Sequence, residues 1–242
     1  MSGCITKGVI LAAGDGDRLG HLTSSTPKVL LPVLGRPLIS YPLESMARAG
    51  IKDIAIVVGY LSERIESALC ETSIPGVNLH YVLNRDHAGG NALSVVTAGR
   101  WVGSEPFILC MGDHIIDADR VSRFLERSSC RETLGVDFSP GAHHIVEEAT
   151  KVKLDREGFI SAIGKDLDNW DAIDTGIFLL TQEFLAAAKD LHSRRGIQIE
   201  ISEVIRLMLR RGQKFAVTDI TGEFWADIDT IDDIRLVDGV AQ

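Results

Sequence analysis

The densest chemistry in this chain lies between Gly8 and Ile39, in the run GVILAAGDGDRLGHLTSSTPKVLLPVLGRPLI. Gly14 and Gly16 let the backbone turn with φ > 0 and bring N–H groups up to a ligand without an intervening Cβ. Consecutive N–H groups in such a loop form a nest for phosphate oxygens. Arg18 adds a permanently charged, bidentate phosphate partner. Lys28, which follows Pro27, brings a point charge to the same group. Far from this loop in sequence, Asp113 stands in Met111-Gly112-Asp113-His114, and Asp227 and Asp229 stand in Trp225-Ala226-Asp227-Ile228-Asp229-Thr230. Magnesium takes one or two carboxylates together with substrate phosphates. Asp227 and Asp229 alternate, which on a strand directs both to one face. Asp229 also stands where a helix over Thr230 to Leu236 needs a cap.

Two familiar phosphate motifs do not fit. The dinucleotide fingerprint G-x-G-x-x-G requires a third glycine one position earlier than Gly20, and the Walker loop requires a Lys after its last glycine. An ordinary strand-to-helix turn would explain Gly-x-Gly, but not the attached Arg18 and Thr26-Pro27-Lys28.

The elements that must position these residues are legible in the apolar runs. Lys7 to Ala13, Asp53 to Val58, Leu79 to Leu83 and Phe107 to Met111 read as strands. Between them, Leu38 to Ala49, Ser62 to Leu69 and Asn91 to Gly99 read as helices, the first closed by Gly50. This order predicts an α/β fold, a Rossmann-like, mostly parallel sheet with helices on both faces. Ligands bind such sheets at the carboxyl ends of strands, where the glycine loop, the loop after Leu83 and Asp113 all fall. In the second half, Thr150 to Leu154 and Phe159 to Ile163 read as a loose hairpin, and Asp174 to Leu180 as a strand. Phe184 to Leu191 and Ile201 to Arg211 read as helices, Phe215 to Ile220 and Glu223 to Asp227 as strands, and Ile231 to Leu236 as a closing helix. A mixed sheet is the expected outcome, and no boundary for a second independent domain is visible. Residues 1–242 read as one domain, with residues 1–115 and 116–242 as its two halves.

Composition narrows the function classes. Hydrophobic residues at 45% and charged residues at 24% suit an ordinary globular protein. A net charge of −9 gives no purchase on a polyanion, so nucleic acid is not an expected partner. Cys4, Cys70, Cys110 and Cys130 form no C-x-x-C pair and no zinc spacing. Cys70 and Cys110, beside apolar residues, read as core side chains. His114, His143 and His144 lack metal spacing, and the last two read as a solvated loop. No signal peptide and no membrane-spanning run is seen, which predicts a soluble, cytoplasmic protein.

The pattern L-A-A-G-x-G-x-R-L followed by T-P-K-x-L-L-P-V-x-G-R-P-L resembles the sugar-phosphate nucleotidyltransferase family. The resemblance implies a magnesium-dependent enzyme that joins an NMP from an NTP to a phosphorylated acceptor and releases pyrophosphate. It assigns nucleotide binding to Leu11, Ala12, Ala13, Gly14 and Gly16, the departing β- and γ-phosphates to Arg18, and the α-phosphate to Lys28. It places the metal on Asp113 and Asp227, with Asp229 as a supporting or alternative ligand. Asn84, Gly89, Gly90 and Asn91 would line the base pocket, the glycines by leaving room for a base. Asn91 would equally serve as a helix N-cap.

Val146 to Leu180 contains E-E-A-T-K-V, I-G-K-D-L and D-T-G-I-F-L-L. These segments, with M-G-D-H-I, resemble the inositol-1-phosphate cytidylyltransferases, which make CDP-inositol from CTP and L-myo-inositol 1-phosphate. The resemblance covers nearly the whole chain and is loosest over Arg100 to Phe107 and Arg120 to His144. It assigns the acceptor phosphate to Lys165, with Glu148, Thr175 and Gly176 beside the acceptor. Many members are fused to a membrane-embedded transferase that consumes the CDP-alcohol; a stand-alone enzyme and an excised domain both stay open, as do monomer and homodimer. Another NTP with a sugar 1-phosphate or phosphocholine fits the first motif equally. A non-catalytic nucleotide sensor would be expected to have lost a loop cation or a metal carboxylate, and none is missing.

Overall fold

Val9, Ile10 and Leu11 follow one another in β1 (Lys7–Ala12), so both faces of this strand are apolar. Such a strand is stable only when covered on both sides. The computed structural model, which describes residues 5–70, 74–128, 131–141 and 146–240, shows this arrangement. After β1 come the short ribbon β2 (Pro32–Val33) and β3 (Arg36–Pro37), helix α1 (Ser40–Arg48), β4 (Asp53–Val58), α2 (Ser62–Cys70) and β5 (Asn78–Leu83). Next are α3 (Asn91–Val102), β6 (Phe107–Met111), β7 (His114–Ile116), α4 (Arg120–Arg127) and β8 (Thr133–Asp137). The remainder is β9 (Lys151–Leu154), β10 (Ile160–Gly164), β11 (Ala172–Leu180), α5 (Gln182–Arg195), α6 (Ile201–Arg210), β12 (Ala216–Asp219), β13 (Trp225–Asp227) and α7 (Ile231–Val240).

Nine strands form one mixed sheet in the path β10-β9-β11-β6-β1-β4-β5, with β8 paired to β11 and β12 to β8. β1 is parallel to both β4 and β6, and β4 to β5, as the strand–helix alternation predicts. β11 runs antiparallel to β6 and joins the second half of the chain to the first. On one face Val9, Val57 and Leu109 meet Ala92, Val95 and Ala98 of α3 with Phe184 of α5 and Val204 of α6. On the other, Ile10, Ile56 and Ile108 meet Leu43 and Met46 of α1, Ile65 of α2 and Phe124 of α4. Complete burial of one such side chain contributes about 1.5–3 kcal/mol.

β7, α4 and β8 are not foreseen from the sequence. β7 has three residues, and β8 carries Gly135 at its centre. α4 fits a fully buried Arg120 whose Nη1 donates to the carbonyls of Glu223 and Phe224 (3.2 and 3.4 Å). Of Cys70 and Cys110, both expected in the core, only one is buried. Cys110 is buried and its thiol is pushed up to about 12 by burial, but Cys70, the last residue of α2, is exposed. Cys4, Cys130 and the His143-His144 pair lie outside the described residues. No helix among the described residues is long and apolar enough to cross a membrane.

Candidate active site

The carboxyl ends of β1, β5 and β6 open into a cleft of about 720 Å³. β11, the β9–β10 hairpin and the start of α6 close its far side. Leu11, Ala13, Gly14, Arg18, Gly89, Asn91, Asp113, Glu148, Lys165, Gly176, Asp227 and Asp229 all line it. Residues from the two halves of the sequence therefore meet in one cavity.

The glycine loop is built as a tight turn. Gly16 has φ 69°, and a Cβ there would lie 2.9 Å from Cβ of Lys28 and 3.0 Å from Cγ2 of Thr23. The Thr23 hydroxyl donates to the Gly16 and Gly20 carbonyls, at 3.1 Å each, and Leu19 is fully buried beneath them. Gly16 thus seats Lys28 and does not itself line the cleft. Lys28 is buried, and its Nζ bonds Asp113 at 2.7 Å and Asp229 at 2.6 Å. Burial works against its charge, but Asp113, Asp227 and Asp229 outweigh it and hold the ammonium above its ordinary pKa. Arg18 is half exposed and pairs with Asp229 and, at 3.1 Å, with Glu148.

Asp113 follows β6. Burial would raise its pKa, yet Lys28 and His114 together hold it far below the usual carboxylate range. Asp227 ends β13, which pairs antiparallel with β7 so that Asp227 faces His114. The Asp227 side chain is 45% exposed at the cleft; its carboxyl is held above its ordinary range by loss of solvent on the cleft side and by Asp113 and Asp229, against the opposing pull of His114. Nδ1 of His114 lies 3.1 Å from Asp113 Oδ1 and 3.6 Å from Asp227 Oδ1. Burial would lower the His114 pKa, but Asp227 and Asp113 raise it to about 9.

Asp113, His114 and Asp227 offer ligand atoms that all lie within 4.8 Å of one another. Two carboxylates and an imidazole facing one cavity form a donor set that fits a divalent cation. Asp229 is engaged elsewhere. The strand ends at Asp227, so the alternation argument stops there, and Asp229 turns to Lys28 and Arg18. Nor does Asp229 cap α7. That end is closed by Thr230 and Asp233, which bond each other reciprocally at 2.6 and 3.2 Å.

On another wall of the cleft stands Lys165, directly after β10, and Lys151 fixes it by donating to its carbonyl at 2.9 Å. Asp174, not anticipated as a site residue, lines the same wall. Burial raises its carboxyl to about 6 although it accepts from the Gly176 N–H at 2.8 Å. Its position was visible in D-T-G, but nothing in that segment said which side chain faces inward.

Several expected contacts are redirected. Thr175 is fully buried, and its hydroxyl donates to the Gly135 carbonyl at 2.8 Å, away from the cleft. Asn84 is buried; its amide donates to Ser94 at 3.1 Å and its oxygen accepts from the Asp86 N–H. Ala12 points into the opposite core. A Cβ on Gly90 would lie 2.2 Å from the Ile199 carbonyl oxygen, so the room there is taken by protein backbone rather than left for a base. Gly89 is also crowded, 2.7 Å from the Ile197 oxygen on the same construction, though it reaches the cleft wall. Asn91 is the first residue of α3, not its cap, and its Oδ1 instead accepts from Ile201 at the start of α6 at 2.8 Å.

Known proteins share this architecture. Residues 7–238 match the nucleotidyl transferase family. The chain is 32% identical over 231 residues to the bifunctional IPC transferase and DIPP synthase of Archaeoglobus fulgidus, covering 96% of this chain and 43% of that protein. It is 32% identical over 232 residues to the protein of the same name from Aquifex aeolicus, covering 96% and 50%. The chain spans about half the length of these curated relatives. Among solved structures, the inositol-1-phosphate CTP transferase from T. maritima superposes with a TM-score of 0.83 at 26% identity, covering 100% of this chain and 98% of that one. Nucleotidyltransferases of this kind generally use a divalent metal. A family match over nearly the whole length, on a fold shared with a solved CTP transferase, establishes that this protein belongs to the nucleotidyl transferase family, whose members are enzymes that transfer nucleotidyl groups.

Proposed function

We propose that this chain transfers CMP from CTP to L-myo-inositol 1-phosphate, giving CDP-inositol and pyrophosphate. The observation that carries the reading is the convergence of Arg18, Lys165 and the Lys28–Asp113–Asp229 cluster on one cleft. The names of the full-length relatives and of the T. maritima structure support the choice of substrates.

An oxygen of the acceptor phosphate forms a bond to the α-phosphorus. The bond from that phosphorus to the bridging oxygen breaks, and pyrophosphate leaves with the electron pair. A phosphate dianion is already a nucleophile, so positioning and charge stabilisation suffice. Lys165 neutralises the incoming phosphate. Lys28 sits beneath the α-phosphate, and Arg18 exchanges Asp229 and Glu148 for the departing phosphates. Glu148 and the Gly176 backbone border the acceptor. Leu11, Ala13, Gly14 and Gly89 border the nucleotide. Asp113 and Asp227 would hold the cation, Mg²⁺ in this reading, which would supply positive charge to offset that of the phosphates.

The test is pyrophosphate release with Mg²⁺ across CTP, UTP, GTP and dTTP, each with inositol 1-phosphate, a hexose 1-phosphate and phosphocholine. The expected outcome is the highest rate with CTP and inositol 1-phosphate. A different best pair would remove the acceptor and base assignments and keep the reaction type. No release from any pair would turn the reading to a nucleotide sensor.

A further inference from the structure

We propose that His114 is a protein ligand of the divalent cation, its Nδ1 completing a site with one oxygen each from Asp113 and Asp227. The proposal rests on the nucleotidyl-transfer reading only in assuming that a cation is used. Ligands at about 2.1 Å from a common ion and adjacent in its coordination shell are about 3 Å apart. Nδ1 of His114 lies 3.1 Å from the Asp113 oxygen and 3.6 Å from the Asp227 oxygen, close to that spacing before any ion has drawn them in.

The fold holds the ring in this orientation. The β7–β13 register sets His114 opposite Asp227. Trp225, two residues before Asp227, stacks on the imidazole with ring centroids 6.0 Å apart and planes 19° from parallel. On another side stands Gly176, where a Cβ would lie 2.8 Å from both Cδ2 and Nε2 of the ring. Only 11% of the His114 side chain is exposed, so its orientation is fixed by packing. Asp229, the other candidate for a third ligand, is held by Lys28 at 2.6 Å and by Arg18.

A nitrogen donor changes which ions the site favours. Carboxylate and water ligands suit Mg²⁺ and Mn²⁺, whereas imidazole suits later first-row ions such as Ni²⁺ and Zn²⁺. Substituting His114 therefore weakens Ni²⁺ or Zn²⁺ binding more than Mg²⁺ binding.

The experiment adds Mn²⁺ alone to the nucleotide-free protein and follows it by continuous-wave and pulsed electron paramagnetic resonance. The wild type is expected to show the ¹⁴N coupling of a directly bound imidazole. His114→Asn is expected to lose that coupling and to raise the Mn²⁺ Kd by about tenfold or more. Bound Mn²⁺ without ¹⁴N coupling in the wild type overturns the proposal, and that measurement needs no variant. So does coupling that survives in His114→Asn, or Mn²⁺ affinity unchanged in Asp113→Asn. Turnover without ¹⁴N coupling sinks the ligand and keeps the function; coupling in a protein that releases no pyrophosphate does the reverse.

Discussion

Removing the Asp113 carboxylate strips the cleft of a cation ligand and leaves buried Lys28 with Asp229 as its bonded partner. Asp113→Ala is expected to lower pyrophosphate release by about a thousandfold or more, with an unchanged circular dichroism spectrum. A near-normal rate at saturating Mg²⁺ would remove Asp113 from the metal site. Asp174 makes a prediction of a different kind. Its carboxyl is raised from 3.8 to about 6, so the folded protein binds that proton more tightly than the unfolded chain. Its contribution to stability therefore falls as pH climbs from about 4 to about 6, and the full penalty holds above that window. Asp174→Asn keeps an oxygen for the Gly176 N–H and removes the penalty. The variant is expected to be more stable than wild type by about 1–3 kcal/mol at pH 8, with the difference nearly gone at pH 4. Urea unfolding at the two pH values measures this; equal stability at pH 8 would show that Asp174 ionises without cost.

Asn91 and Glu200 tie two helix starts to each other. Oδ1 of Asn91 accepts from Ile201 at 2.8 Å, and Glu200 accepts from the Asn91 N–H at 3.4 Å. Asn91→Ala removes a cap from α6 and is expected to cost about 1 kcal/mol in unfolding free energy, with little change in the nucleotide KM. A raised KM at unchanged stability would restore Asn91 to the base pocket. The same pair marks a limit of what is legible in the sequence. β1, β4 and β6 are legible because unbroken Val/Ile/Leu runs have few other homes. The glycine loop is legible because its residues act locally. The directions of Asn84, Thr175 and Asn91 are set by Ser94, Gly135 and Ile201, partners chosen by tertiary packing. His114 has no metal spacing in the sequence, because its nearness to Asp227 arises from the β7–β13 pairing of distant segments.

The whole molecule carries a net charge of −9, and its cleft sets Arg18, Lys165 and Arg206 among eight carboxylates. So acidic a cleft takes a nucleotide together with its counter-cation and offers no track for a long polyanion. CTP with Mg²⁺ at about 100 times its Kd is expected to raise the Tm by about 5–10 °C, whereas duplex DNA at ordinary ionic strength leaves it unchanged. A shift with DNA and none with CTP would reverse the assignment of partners. At this scale the fold class, the parallel core of the first half and the strand-end site are legible in the sequence. The joining of the halves is not, because it depends on β11 running antiparallel to β6.

That joining has a consequence for synthesis. Phe107–Met111 pairs with β1 on one side and with residues up to Leu180 on the other. While the chain is being made, the first partner is present early, but the second emerges roughly 70 residues after Met111, about 4–14 s later at ordinary elongation rates. For that interval the strand Phe-Ile-Leu-Cys-Met presents an open, apolar edge, the kind of surface that nascent chains join to one another. Slow elongation through residues 112–180 would lengthen this exposure and lower the soluble yield without altering one contact in the finished protein.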